Sequence, residues 1–309
     1  MSDDLAAAHS LIRELKLGID ADTVEIVRLG GLTNRVYRIG TGRDALCLRF
    51  PGKGTEEYID RRVETIAAKA AAAAGVSPEV IHADPATGIL VTRFIGDAVT
   101  MSAELFASRA GAPERAGRAF RQLHASDAIF DFRFELFAMI DNYLALLATK
   151  EVDFPAGYHE VLREAEAVRE ALAAHPVAVV ACHCDPLSEN FLDTGSRMWI
   201  VDWEYSGMND PMWDLGDLSV EAAFDQACEE AMLRAYFGGD PTRFDRGRMV
   251  IYKAMCDLLW TLWGLIQHAN ANPADDFWAY SVNRFERCKA LMATTAFPEH
   301  LAAVRKGPV

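Results

Sequence analysis

Cysteine, basic charge and long apolar runs are all scarce in this sequence, and each shortage closes off a class of protein. Six cysteines (Cys47, Cys182, Cys184, Cys228, Cys256, Cys288) are scattered over 309 residues. That spacing does not build a disulfide framework, so reduced thiols are the expectation. Cys182-His183-Cys184 has no second pair at metal-ligand spacing, and neighbouring ligands on an extended segment diverge, which argues against zinc. Only 31 Lys and Arg stand against 45 Asp and Glu, a net charge of −14, so no general electrostatic grip on nucleic acid or anionic lipid is expected. The opening MSDDLAAAHSLIREL is acidic and helical, without the basic start and apolar core of a secretory signal. The apolar stretch 258–266 follows Asp257 and is too short to span a bilayer. A cytoplasmic chain with no stable membrane insertion is expected.

What is present divides in two. Hydrophobic residues make up 51% of the chain, ample for buried cores. Between positions 24 and 50 the short runs VEIVRL, RVYRIG and ALCLRF are separated by Gly30-Gly31 and Gly40-Thr41-Gly42, the pattern of an antiparallel meander. A helical stretch follows at 59–74, then the strand-like ILVTRFI at 89–95. Beyond about residue 97 helical periodicity dominates, at 113–125, 134–148, 158–174, 225–236 and 249–270. One segment, PVAVVACHCDPLSENFLDTGSRMWIVDWEY, alternates short apolar strands with a polar loop and predicts a small hairpin among helices.

That segment carries the chemistry. His183-Cys184-Asp185-Pro186-Leu187-Ser188-Glu189-Asn190 is followed twelve residues later by Asp202. Phosphoryl transfer needs a carboxylate to orient and deprotonate the attacking hydroxyl, and oxygen ligands to hold magnesium on the phosphates. An Asp and an Asn five residues apart on one loop can place base and metal ligand side by side, and an Asp ending the next strand reaches the same metal. The order H-x-D-x-x-x-x-N, strand, D matches the general kinase template.

With these motifs the chain resembles the choline/ethanolamine kinases, of a bacterial choline kinase type, within the aminoglycoside-phosphotransferase group of protein-kinase-like enzymes. The resemblance runs from about residue 29 to 292 and rests on GGLTNRVYRI, LRFPGKGT, the Asp185 loop and WEYSGMNDPMWDLGDLSVE. It implies an α+β, protein-kinase-like two-lobe fold: a small N-terminal nucleotide-binding lobe (1–96) with a five-stranded antiparallel sheet, and a larger, mainly helical catalytic and substrate lobe (97–309). It implies ATP and Mg2+ as cofactors, with Gly31, Thr33, Asn34, Arg49 and Glu64 toward ATP. Arg49 takes the role usual for a strand lysine, which suits a guanidinium's planar, bidentate donors. Asn190, Asp202 and Glu204 fall to the metal, while His183 and Asp214 support the catalytic loop.

For the substrate, the resemblance puts Glu221 near a cationic head and Trp260 and Trp263 in a choline pocket. The two tryptophans are three apart on one helix and so share a face, and Tyr280 closes a third side. A quaternary ammonium has no N–H to donate, so aromatic faces and carboxylates recognise it. Choline is the first expectation, with phosphocholine as product. Ethanolamine, an aminoglycoside, thiamine, or a catalytically silent ligand-binding role are the alternatives, and the oligomeric state is left open.

Overall fold

The computed structural model describes residues 2–30, 34–52, 54–55 and 59–308. In chain order the first part holds α1 (Ser2–Leu15), β1 (Ile26–Arg28), β2 (Arg35–Ile39), β3 (Leu46–Phe50), α2 (Arg61–Ala73), β4 (Val80–Asp84) and β5 (Ile89–Arg93). The second holds β6 (Val99–Thr100), α3 (Ala103–Ser108), α4 (Ala112–His124), α5 (Leu136–Leu147), α6 (Tyr158–Glu164), α7 (Glu166–Ala174), β7 (Val180–Cys182), β8 (Phe191–Asp193), β9 (Met198–Ile200) and β10 (Gly207–Asn209). Helices α8 (Pro211–Glu221), α9 (Gln226–Phe237), α10 (Arg243–Ala269), α11 (Phe277–Met292) and α12 (Phe297–Lys306) complete it.

The first five strands form one antiparallel sheet in the order β1-β2-β3-β5-β4. Alternation along its strands decides what each face does. Tyr37, Ile39, Leu46, Leu48, Phe50 and Val91 join Ala8, Leu11 and Ile12 of α1 in one buried cluster. Their neighbours in sequence therefore point the other way, and Val36, Arg49 and Leu90 stand side by side in register on that opposite face. Asp60 caps α2, accepting from the amides of Arg62 at 2.9 Å and Val63 at 3.3 Å. The alanine face of α2 (Ala67, Ala68, Ala71) packs into the larger helical core. Val76 O accepts from Ile200 N at 2.9 Å and Ser77 Oγ from Trp203 Nε1 at 3.0 Å, which ties the two parts together just after α2.

The hairpin predicted among the helices is two small sheets. β8 and β9 form the hairpin with β6 at its edge, and β7 pairs with β10, Cys182 opposite Gly207. Three element boundaries differ from the sequence reading. The run at 158–174 is two helices meeting at Ala165, where Val168 N bonds back to Ala165 O. α10 begins at Arg243, six residues before the expected start, because Thr242 and Asp245 form a capping box. β4 gave no separate signal in the sequence, since its VIHAD is half-buried throughout and bulged between Val80 and His82. α10 is long and apolar enough to cross a membrane by length and composition, yet 83% of that window is buried inside the fold.

Two glycines set the spacing around the later site. A Cβ on Gly216 of α8 would lie 2.7 Å from Met249 O of α10. One on Gly264 of α10 would lie 2.6 Å from the Tyr280 ring of α11. Glycine at both positions lets α8 and α11 approach the two sides of α10 closely enough for their polar faces to converge.

Candidate active site

The loop between β7 and β8 is held from behind by one carboxylate. Asp214, fully buried in the first turn of α8, accepts the backbone N–H of His183 (2.8 Å to Oδ2) and of Cys184 (2.8 Å to Oδ1). His124 Nε2 adds a third contact at 3.0 Å. These bonds stabilise Cys184 in a left-handed conformation, φ 67°, that a non-glycine residue rarely adopts. Among the described residues His124, Cys182 and Asp214 are also close enough to invite a metal. Their polar atoms are instead engaged in this network, with the Cys182 thiol directed at Asn209 O.

His183 is buried and neutral, its pKa lowered by desolvation. One tautomer satisfies both ring nitrogens: Nε2–H donates to Val201 O at 2.9 Å and Nδ1 accepts from Asp185 N at 3.3 Å. Asn190 donates through Nδ2 to Asp185 O at 3.0 Å, so its side-chain oxygen is the atom it can offer a cation. The Asp185 carboxylate is desolvated and faces Glu221, Asp202 and Glu204, which together push its pKa well above the usual carboxylate range.

A second cluster joins the two lobes in front of Asp185. The carboxylate oxygens of Glu64, Asp202 and Glu204 lie within 4.8 Å of one another, and two arginines interleave them. Arg49 pairs with Glu64 and, at 3.0 Å, with Asp202. Arg61 pairs with Glu64 at 2.8 Å and Glu204 at 3.0 Å. The Asn34 amide spans Asp202 (3.4 Å) and Glu204 (3.2 Å), while its oxygen accepts from Gly52 N at 3.1 Å. Desolvation, with Asp202 and Glu64 adding to it, lifts the Glu204 pKa to about 7. Asp202 itself sits at φ 67°. An oxygen-rich set of this kind suits a hard divalent cation. Arg61 was not singled out from sequence, although its position three residues before Glu64 on a capped helix was a usable signal. Gly31 and Thr33 lie outside the described residues.

Beside the hinge after β5, a cavity of about 700 Å³ is lined by Arg38, Ala45, Phe94, Gly96, Asp97 and Trp199, among others. Near Asp185 the chain gathers an aromatic cluster, called the cup below. Trp263 is half-exposed, its Nε1 donating to Tyr205 OH at 2.9 Å and its ring 5.7 Å from that of Tyr280. Trp260 is buried behind, 5.5 Å from the Tyr205 ring. Glu221 lies at the cup, paired with Arg284, whose guanidinium also reaches Asp257 at 3.1 Å and lies 4.9 Å from the Tyr280 ring centroid. Tyr205 and Asp217 were missed by the sequence reading. Asp217 was discoverable, since Asp214, Asp217 and Glu221 follow an i, i+3, i+7 stripe on α8. Tyr205 arrives from a loop and carries no periodic signal.

A family model described as "Phosphotransferase enzyme family" matches residues 25–249. A choline/ethanolamine kinase family protein from Mesorhizobium loti has a solved structure that is 66% identical, with a TM-score of 0.86 over 92% of this chain and 94% of that one. Choline kinase LicA from Streptococcus pneumoniae is 27% identical, TM-score 0.76, over 92% and 97% of the two chains. A structure of LicA in complex with AMP is likewise 27% identical, TM-score 0.71, over 95% and 97%. The loop bearing Asp185 and Asn190, the carboxylates it faces and these likenesses agree: the chain belongs to the phosphotransferase enzyme family, among its choline/ethanolamine kinases.

Proposed function

We propose that the protein transfers the γ-phosphoryl group of ATP to the hydroxyl of choline. The observation that carries this reading is the aromatic cluster itself: Trp263 donates to the Tyr205 hydroxyl and packs on Tyr280, and Asp185 lies close enough to Tyr280 for its charge to be felt there. Aromatic faces recognise a trimethylammonium, and a two-carbon alcohol then delivers its hydroxyl toward Asp185. Asp185 orients that hydroxyl and accepts its proton as the oxygen attacks phosphorus. The raised pKa of Asp185 suits a group that must take up a proton.

Magnesium, when bound, neutralises phosphate charge and aligns the transferring group. Asn190, Asp202 and Glu204 would hold it, and Arg49, beside Asp202, would add positive charge toward the phosphates. The hinge cavity fits the nucleotide base, in keeping with the AMP bound by LicA. Six free cysteines and an ATP co-substrate support a cytoplasmic location.

Ethanolamine is the second reading, favoured by carboxylates beside the aromatic wall that can accept N–H donors. ATP consumption and phosphorylated product measured across choline, ethanolamine, thiamine and kanamycin decide between them. Highest kcat/KM with choline is expected; turnover of kanamycin or thiamine alone would overturn the assignment.

A further inference from the structure

Charge in the cup is unbalanced. Among the described residues three carboxylates converge there, Asp185, Asp217 and Glu221, against the single guanidinium of Arg284. Arg284 is itself shared between Glu221 and Asp257. Asp185 is turned to the reacting hydroxyl in the reading above. Asp217 is therefore left with only a share of Arg284 to offset it. Its carboxylate is fully buried, Oδ2 accepts the indole N–H of Trp260 at 3.3 Å, and Oδ1 has no hydrogen-bond partner. An uncompensated buried carboxylate is costly, and a neutral side chain of the same size would be cheaper at this position.

We propose that Asp217 is a specificity-determining residue, the counter-charge by which the cup selects a cationic head group over a neutral one of the same shape. It acts in two ways. Its charge lies directly behind the aromatic wall, in surroundings of low polarity where Coulomb attraction is little screened. It also accepts the Trp260 N–H, fixing the indole that packs behind the Tyr205 ring of the cup. Burial, and after it Glu221, raise the Asp217 pKa well above the usual carboxylate range with Arg284 opposing them, so a cation brought beside it draws the carboxyl to its charged form. The proposal rests on the amino-alcohol reading above.

The test uses Asp217→Asn, which keeps the size and an oxygen for the Trp260 N–H while removing the charge. Kinetics are measured with choline and with neohexyl alcohol, its uncharged carbon isostere. Wild type is expected to prefer choline strongly. In the variant KM for choline should rise about tenfold while KM for the isostere and for ATP stay put, so the preference narrows by the same factor. A variant that keeps the wild-type preference, or that loses both alcohols alike, overturns the role of Asp217. Should the Asn variant fold poorly, Asp217→Ser removes the same charge with a smaller polar side chain, and an undiminished preference there overturns the proposal equally. If wild type itself does not distinguish choline from the isostere, the amino-alcohol reading falls first, and this inference falls with it.

Discussion

Replacing Asp214 by Asn exchanges one oxygen for an NH2 and should disable the loop that bears Asp185. Each carboxylate oxygen now accepts a loop amide, His183 N at Oδ2 and Cys184 N at Oδ1, both at 2.8 Å, and Oδ2 also meets His124 Nε2. An amide presents only one oxygen, so whichever way it is turned its NH2 faces one of these backbone donors. One buried N–H then loses its acceptor, at about 1–3 kcal/mol, and the surviving bond loses its charge assistance, about 1 kcal/mol more. The sum, about 2–4 kcal/mol, is felt where Cys184 is already held at φ 67°. Release of that conformation shifts Asp185, the next residue. A misplacement of about 1 Å can lower kcat about a hundredfold. Denaturant unfolding and kcat at saturating choline and MgATP measure the two effects. An Asn variant with wild-type stability and wild-type kcat would refute the claim that Asp214 holds the loop.

Further outcomes follow from other contacts. Asp185→Ala should lower kcat by about two to four orders of magnitude while ATP still binds, measured by steady-state kinetics and nucleotide titration. Asp202→Ala and Asn190→Ala should each abolish productive magnesium use, and turnover that survives full chelation of divalent ions would contradict the metal assignment. Arg49→Ala should raise KM for ATP and destabilise the protein by about 3–5 kcal/mol, because buried Glu64 loses one of its two partners; Arg49→Lys should restore only part of either. Asp193, buried between Arg109 and Arg115, has its pKa lowered from 3.8 to about 2. It therefore stabilises the fold by about 2 kcal/mol above its unfolded pKa, and that contribution is lost as pH falls from about 4 toward 2; Asp193→Asn should remove this portion of the acid-induced loss in pH-dependent unfolding.

How much of this was legible beforehand varies with the kind of contact. Local patterns were readable: the strand-like runs RVYRI and LCLRF, the helical stretch after residue 59, and the loop holding Asp185 and Asn190 all follow from neighbours in the chain. Period and capping are short-range, so they leave a trace in short-range text. The aromatic stripe of α10 was equally visible, but its two members differ in role. Trp260 is buried against Asp217 and Trp263 opens to the cup, a distinction made by which helices pack on α10 rather than by spacing.

Charge pairing was the least legible. The family resemblance puts Glu221 near a cationic head group, yet Arg284, sixty-three residues later, already pairs with it. Arg49 reads as a phosphate ligand and is also bound to Glu64 and Asp202. By itself the sequence determined the kinase-like elements and the loop that brings Asp185 and Asn190 together, because residue type and local spacing specify those. Only the tertiary structure decided which carboxylates are neutralised and which, like Asp217, remain unpaired, because electrostatic energy depends on distances across the fold and on exclusion of water, and neither is set by separation along the chain.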